Sequence, residues 1–348
     1  MVKTHEDVSE YYGKVLKTKE DLKTSACCSL ETVSDYIKEP LKLIEDEIQT
    51  KFYGCGAPIP LALEGKKALD LGCGTGRDCF VISYYAGTSG EVVGVDMTDE
   101  QLEVANRYLP IQTEKFGFKS PNVRFIKGYI EDLKSLNLPD DYFDVVVSNC
   151  VVNLSPDKES VLSEVFRVLK AGGEFFFSDV YVDRRLPDWC KEDQILLGEC
   201  LGGALYWKDF ERLAQDVGFG DPRVYACSKI DLLDQDTIDK VGFANFNSIT
   251  YRLFKVDGLE DMPEDYGQEA IYKGSIEHSK DSFVLDNQHI FEKDKPLLIS
   301  SNTAKILHDS RFSKYFDVRG NTSTHKGPFK KCVESSTFSA EAPKSKCC

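Results

Sequence analysis

Between Lys67 and Gly218, apolar runs with strand spacing alternate with stretches of helical spacing. That alternation restricts the chain to a parallel α/β sheet, because parallel strands need a crossover that a helix supplies. Strands are predicted at KALDL (67–71), EVVGVD (91–96), NVRFIKG (122–128), FDVVVSN (143–149) and GEFFFSDV (173–180). Helices are expected between them: RDCFVISYYA after Gly76, DEQLEVANRYLP from Asp99, and DKESVLSEVFRVLKAGG after Pro156, the last stopping on its glycines. FDVVV is apolar on both sides of its pleat, as in a strand covered on both faces, and such strands deliver their ends to a ligand crevice. The residue at that exit is Cys150.

The flanks read differently. LKLIEDEIQTKFY (41–53) has the spacing of a helix lying against the sheet, and WKDFERLAQDVGFGDPRV adds one more helix, a turn and a strand. From about Phe243 the rhythm gives way to the short strand-like pieces ITYRLFKV, QEAIYKG and PLLISSNTAKILHD. The expected organisation is a helical segment with a cysteine loop over 1–50, the main α/β domain over 51–220, and a smaller mixed α+β domain over 221–320. A polar, unperiodic tail over 321–348 is expected to be disordered. No internal repeat is present.

Charge narrows the partners. With 43 basic against 58 acidic residues the net charge is -15, which repels phosphate backbones and anionic lipid, so a small molecule is expected and nucleic acid and membrane are not. The N-terminus carries charges where a signal peptide needs an apolar core, and no apolar run reaches membrane-spanning length, so the cytosol is the expected compartment. Twelve cysteines in a reducing compartment are mostly thiols, suited to soft ions or redox chemistry. There is no C-x-x-C, and His5 is the only histidine before His278, so a histidine-built zinc site is not expected in the first two thirds.

ALDLGCGTGRD (68–78) reads as strand, glycine turn, helix start: Gly72, Gly74 and Gly76 permit a tight turn and close backbone approach of a ligand. A dinucleotide fingerprint would need glycine where Arg77 stands, and no G-K-[ST] phosphate loop occurs. What remains, Asp-x-Gly-x-Gly-x-Gly from Asp70, resembles the first motif of the class I S-adenosylmethionine methyltransferases. The resemblance implies a Rossmann-like core of seven strands and S-adenosylmethionine as methyl donor. It implies that the glycines pass the amino-acid end of that cofactor and that Asp96, followed by Met97, accepts from the ribose hydroxyls. Ile130 would pack on the adenine and Glu131 accept from its amino group; Tyr53 would close over the cofactor, and Asn149 would hold its ammonium or carboxylate.

The cysteine contexts sharpen this. KTSACCSL (Cys27, Cys28), YGCGAPIP (Cys55), SNCVVNL (Cys150) and GECLGGALYW (Cys200), together with GRDC and FSDVY, closely resemble the arsenite S-adenosylmethionine methyltransferases from Lys23 through RLFK (252–255). Trivalent arsenic is soft and thiolates are soft ligands; three sulfurs leave it one lone pair that needs no general base, and the core has no histidine. The resemblance implies that Cys150 and Cys200 bind arsenic, while Cys55 and one of Cys27 or Cys28 serve substrate capture and a disulfide relay. Cys55 lies 28 positions from Cys27 and 27 from Cys28, a spacing that does not decide between them; Cys27 is preferred. It further implies mono- and then dimethylated products, with some trimethylation, in arsenic detoxification, and glutathione or thioredoxin as reductant. A monomer is expected. Cys73, Cys79, Cys190 and Cys227 are read as packing residues, Trp207 as core, and the Cys347-Cys348 pair as non-catalytic. Two other readings stay open. A C- or O-methyltransferase of a small metabolite would leave the thiol contexts unexplained, and a non-catalytic arsenical-binding protein would not need Asp70, the glycine trio and Asp96.

Overall fold

The computed structural model describes His5 and residues 34–329; Cys27, Cys28, Cys347 and Cys348 lie outside the described residues. The chain enters through α1 (Asp35–Leu41) and α2 (Asp46–Thr50). Sequence spacing predicts one helix over 41–53, but the Gln49 amide donates to the carbonyls of Leu41 (3.0 Å) and Ile44 (2.8 Å), capping α1 and turning the chain between two short helices.

The βα rhythm follows: β1 (Lys67–Leu71), α3 (Arg77–Ala86), β2 (Glu91–Asp96), α4 (Asp99–Lys115), β3 (Val123–Lys127), β4 (Phe143–Asn149), α5 (Lys158–Val168) and β5 (Leu169–Val182). Next come α6 (Gln194–Gly198), β6 (Leu205–Tyr206), α7 (Trp207–Val217), β7 (Arg223–Ile230), α8 (Gln235–Val241) and β8 (Phe246–Phe254). The main sheet runs β3-β2-β1-β4-β5-β8-β7, with β6 beside β5. β1 to β5 are parallel, whereas β8 is antiparallel to both β5 and β7. Seven strands on the main path and an all-parallel centre agree with the expected class I methyltransferase core.

Because β1, β2 and β4 carry apolar residues on both faces, two cores form. Leu69, Val93 and Val146 pack with Val161 and Val165 of α5 and Phe210 of α7. On the other face Ala68, Val92 and Val145 pack with Phe80 and Val81 of α3 and with Ile37 and Ile48 of the entry helices. Each such Leu, Ile, Val or Phe side chain, where fully buried, stabilises the fold by roughly 1.5–3 kcal/mol.

Two sequence expectations shift. Helix α5 stops at Val168, and LKAGG continues as strand instead of helix, because the Gly172 N–H is taken by the Lys255 carbonyl at 2.6 Å. The boundary expected at 220/221 does not separate the sheets: β7 and β8, including ITYRLF, belong to the main sheet, with β8 paired along β5 from Glu174↔Phe254 to Val182↔Phe246. The antiparallel unit begins later, with β9 (Gln268–Tyr272), the hairpin β10 (Ser282–Val284) and β11 (Ile290–Glu292), β12 (Pro296–Ile299), α9 (Ser301–Asp309) and β13 (Phe316–Arg319). Its sheet order is β12-β9-β13. Among the described residues no helix is long and apolar enough to cross a membrane.

Candidate functional site

In a parallel sheet whose order reverses beside β1, the strand ends on either side of the reversal leave a crevice. Here β1, β2, β3 and β4 release Asp70, Asp96, Gly128 and Asn149 into one cavity of about 960 Å³ including its mouth. Of the residues read from sequence, Tyr53, Asp70, Gly72, Gly74, Asp96, Met97, Ile130, Glu131, Asn149 and Cys150 all line it. Gly76 does not: it sits behind the turn at φ +85°, where a Cβ would meet the Phe125 ring at 2.7 Å.

The glycine turn is built for close approach. Gly72 has φ +67°, and a Cβ there would stand 2.4 Å from the Val151 side chain, so only glycine lets the chain leave β1 over the end of β4. Asp96 holds the turn from β2: its carboxylate accepts from Gly74 N and from Thr98 N, each at 2.8 Å. Burial pushes the Asp96 carboxyl up. Asp70 is driven well above the usual carboxylate range, first by burial and then by the negative charge of Asp78, with the Cys79 thiol donating to it at 3.3 Å in partial compensation. Arg77 pairs with Asp78 at 2.7 Å. Three carboxylates thus crowd one turn with a single paired cation among the residues named, a donor set that fits a positively charged ligand with hydroxyls to donate. Ile130, Met97 and Leu154 supply apolar wall.

Sequence reasoning missed several neighbours. His5 stacks on Tyr129 with ring centroids 4.6 Å apart and places Nε2 3.0 Å from Glu131 Oε1, a partner 126 positions away. Ser155 donates to the same oxygen. Asn149 does more than face the cavity: its Oδ1 accepts from Gly56 N (3.1 Å), and its Nδ2 donates to Gly56 O (2.9 Å) and to Asp78 Oδ2 (3.1 Å). The side chain acts as a strand partner that holds the 54–56 segment over the end of β4.

That clamp brings two predicted thiols together: Cys55 and Cys150 form a disulfide with Cα atoms 5.7 Å apart. Ser248 fixes the Cys55 carbonyl at 2.9 Å, and Cys150 N donates to Ser178 O of β5 at 2.8 Å. Cys200 arrives from the end of α6, its Sγ 3.5 Å from the Cys150 carbonyl. Gly203 makes this approach possible, since a Cβ there would fall 2.0 Å from the Asn153 carbonyl. Cys150 (φ +58°) and Cys200 (φ +60°) both adopt left-handed backbone, which costs a non-glycine residue of order 1–3 kcal/mol. Beneath them lies Asp179 of β5, and its carboxylate and the two sulfurs lie within 4.8 Å of one another. Asp179 accepts from Asn153 N (2.9 Å) and Val180 N (2.8 Å), and burial pushes its carboxyl up to about 6. Burial lowers Lys158 to about 8; its ammonium donates to the carbonyls of Asn153 and Ser155.

The remaining described cysteines divide. Cys79 and Cys190 are buried as expected, and Trp207 packs half-buried against the core. Cys73 is buried but also lines the cavity, its thiol pushed up to about 11 by burial. Cys227 departs from the packing expectation: it is exposed, on β7, which ends the main sheet among the described residues.

Residues 62–218 match a family model described as a methyltransferase domain, and residues 266–344 one described as an arsenite methyltransferase C-terminal domain. The chain is 52% identical to an arsenite methyltransferase of Aquipseudomonas alcaligenes over 94% of either sequence. It is 43% identical to an arsenite methyltransferase of Homo sapiens over 90% of this chain and 83% of that one. Among solved structures, the crystal structure of CrArsM, an arsenic(III) S-adenosylmethionine methyltransferase from Chlamydomonas reinhardtii, matches with a TM-score of 0.82 and 48% identity, covering 85% of this chain and 99% of that one.

Proposed function

The chain belongs to the arsenite methyltransferase family, and from that premise we propose how its own residues carry methyl groups from S-adenosylmethionine to arsenic(III). When bound, S-adenosylmethionine supplies an electrophilic methyl on a positively charged sulfur. Asp96 would accept from its ribose hydroxyls and Glu131 from its adenine amine, with Ile130 and Met97, which line the same cavity, supplying apolar wall for the ring. Gly72 and Gly74 would admit its amino-acid end, Asp70 and Asn149 would face the ammonium and carboxylate, and Tyr53 would close over it, all five lining the cavity, while Gly76 shapes the turn from behind.

The observation that carries the reading is the Cys55-Cys150 disulfide, of which Cys150 lines the cavity while Cys55 and Cys200 stand behind it, the Cys200 thiol reaching the Cys150 carbonyl. In reduced protein Cys150, Cys200 and Cys55 hold arsenic as thiolates. The arsenic lone pair becomes the new As–C bond while the methyl's bond to sulfur breaks; no proton moves, so no general base is required. Arsenic is then pentavalent. Joining the Cys55 and Cys150 sulfurs forms one S–S bond as two As–S bonds break, and the electron pair left over returns arsenic to the trivalent state; the methylarsenic cation left on Cys200 is neutralised when an external thiol gives up its proton and binds as the third ligand. The disulfide is the protein's product of that step.

External thiols, from glutathione or thioredoxin, reopen it by exchange for the next methyl. Cys27, or else Cys28, passes the disulfide outward and helps capture substrate. Mono- and dimethylated arsenicals result, with some trimethylation, from a cytosolic monomer acting in arsenic detoxification. Purified protein incubated with arsenite, S-adenosylmethionine and glutathione tests this by chromatographic separation of arsenic species with elemental detection. Methylated arsenic should appear only with the methyl donor; unchanged arsenite beside bound cofactor would overturn the assignment.

A further inference from the structure

We propose that Asp179 is a further catalytic residue, a fixed carboxylate that stabilises the positive charge arsenic acquires as it is methylated. The inference rests on the arsenic site described above. Arsenic held by three thiolates is neutral. When its lone pair forms the As–C bond, it takes on the unit positive charge that the methyl's departure removes from sulfur, so the product is a four-coordinate cation. A group placed to feel that charge lowers the barrier, because the charge is absent in the bound substrate and grows toward the transition state.

Asp179 is the acidic group placed to do so. Its carboxylate lies within 4.8 Å of both Cys150 Sγ and Cys200 Sγ, so an atom gripped by those sulfurs is in its immediate neighbourhood. The residue is fully buried, where a charge acts through a lower dielectric than water. It is also held still: the N–H groups of Asn153, Val180 and Val152 all point at it, so no reorganisation is needed when charge develops. Among the described residues it has no ion-pair partner within 4 Å. The nearby cation, Lys158, is tied at 3.1 and 2.9 Å to the carbonyls of Asn153 and Ser155. A side chain present only to anchor the 152–154 turn would not need a net charge; three backbone donors around a carboxylate instead preserve one.

The test uses Asp179→Asn in the full-length reduced protein, with folding checked by circular dichroism. Arsenite affinity is read from thiolate-to-arsenic absorbance, and methyl transfer from a single turnover on arsenite-loaded protein. Cadmium is the charge probe: a thiophilic dication for the same sulfurs, read from its own thiolate absorbance after subtracting a Cys150→Ser background. Arsenite affinity should stay within about threefold, while transfer falls roughly a hundredfold, as for loss of one preorganised electrostatic stabiliser. Cadmium affinity should drop roughly tenfold or more, because its charge is felt before any chemistry. Equal transfer rates in variant and wild type, or equal losses of cadmium and arsenite affinity, would overturn the inference. Should the variant not fold, Lys158→Gln removes the opposing charge and should raise cadmium affinity and single-turnover rate; no change or a fall in both would count against Asp179. Wild-type protein that leaves arsenite unmethylated would sink the arsenic reading itself, a distinct outcome.

Discussion

Cys150 and Cys200 hold their sulfurs on left-handed backbone that cysteine seldom adopts, at φ +58° and +60°. The strain is local, and the β4-β5 pairing and the Gly203 approach sustain it by fixing the chain on either side. Replacing either sulfur by oxygen keeps the size and removes the soft ligand, so Cys150→Ser and Cys200→Ser should each lower arsenite methylation at least a hundredfold. Cofactor affinity measured by calorimetry should stay within threefold. Asn149→Ala acts differently: losing both hydrogen bonds to Gly56 frees the 54–56 segment, so Cys55 should be alkylated faster in reduced protein and the second methylation should slow more than the first. Equal slowing of both would place Asn149 at the cofactor alone. At this scale a residue's place on the cavity was legible in the sequence wherever a strand end and a turn motif coincide, as at Asp70, Asp96 and Glu131. Asp179 was not, since one acidic residue in an apolar strand does not say what lies opposite it. His5 was not either, because nothing local links it to Glu131.

Elements meet through a buried charge cluster. Glu174 on β5 receives Arg252 from β8 and Arg311 from the segment after α9, and all three are nearly or fully buried. Burial opposes the Glu174 charge, but the two guanidiniums overcome it and hold the carboxyl below its usual range. Arg252 also donates to Leu285 O (2.9 Å) and Arg311 to Leu61 O, so the cluster ties the main sheet to the antiparallel unit and to the entry segment. Removing the central carboxylate strands two buried cations. Glu174→Ala should therefore destabilise by about 3–5 kcal/mol, read as a lower urea midpoint, whereas a loss under 1 kcal/mol would mean the arginines find other partners. The same geometry explains what element patterns hid. β8 joins the main sheet antiparallel, which breaks the strand–helix rhythm, and its burial comes from a partner strand far back in sequence. The strands from β1 to β5 were readable because each is a short apolar run in its own right, although β4 pairs with β1 and not with β3.

Taken as a whole, the molecule is acidic, at -15, and three of its carboxyls, Asp70, Asp78 and Asp96, crowd the turn at the cavity. Asp70 and Asp96 are both raised chiefly by burial, Asp70 further by Asp78 and Asp96. A carboxyl with a raised folded value binds its proton over a range where the unfolded chain has released it. Protein without cofactor therefore loses stability as pH climbs from the ordinary carboxylate range through those raised values. A bound sulfonium and ammonium reverse the preference, favouring the ionised carboxylates and expelling the protons. The thermal shift produced by S-adenosylmethionine should consequently grow as pH rises from the ordinary carboxylate range through those raised values. Calorimetry in buffers of different ionisation enthalpy, at a pH above the ordinary carboxylate range, should record proton release on binding. Asp70→Asn should flatten the profile while leaving the Cys55-Cys150 disulfide intact. A cofactor shift that is constant or falls with rising pH would show that the carboxylates stay protonated around the ligand, and that the acidic turn serves the fold and not the cation.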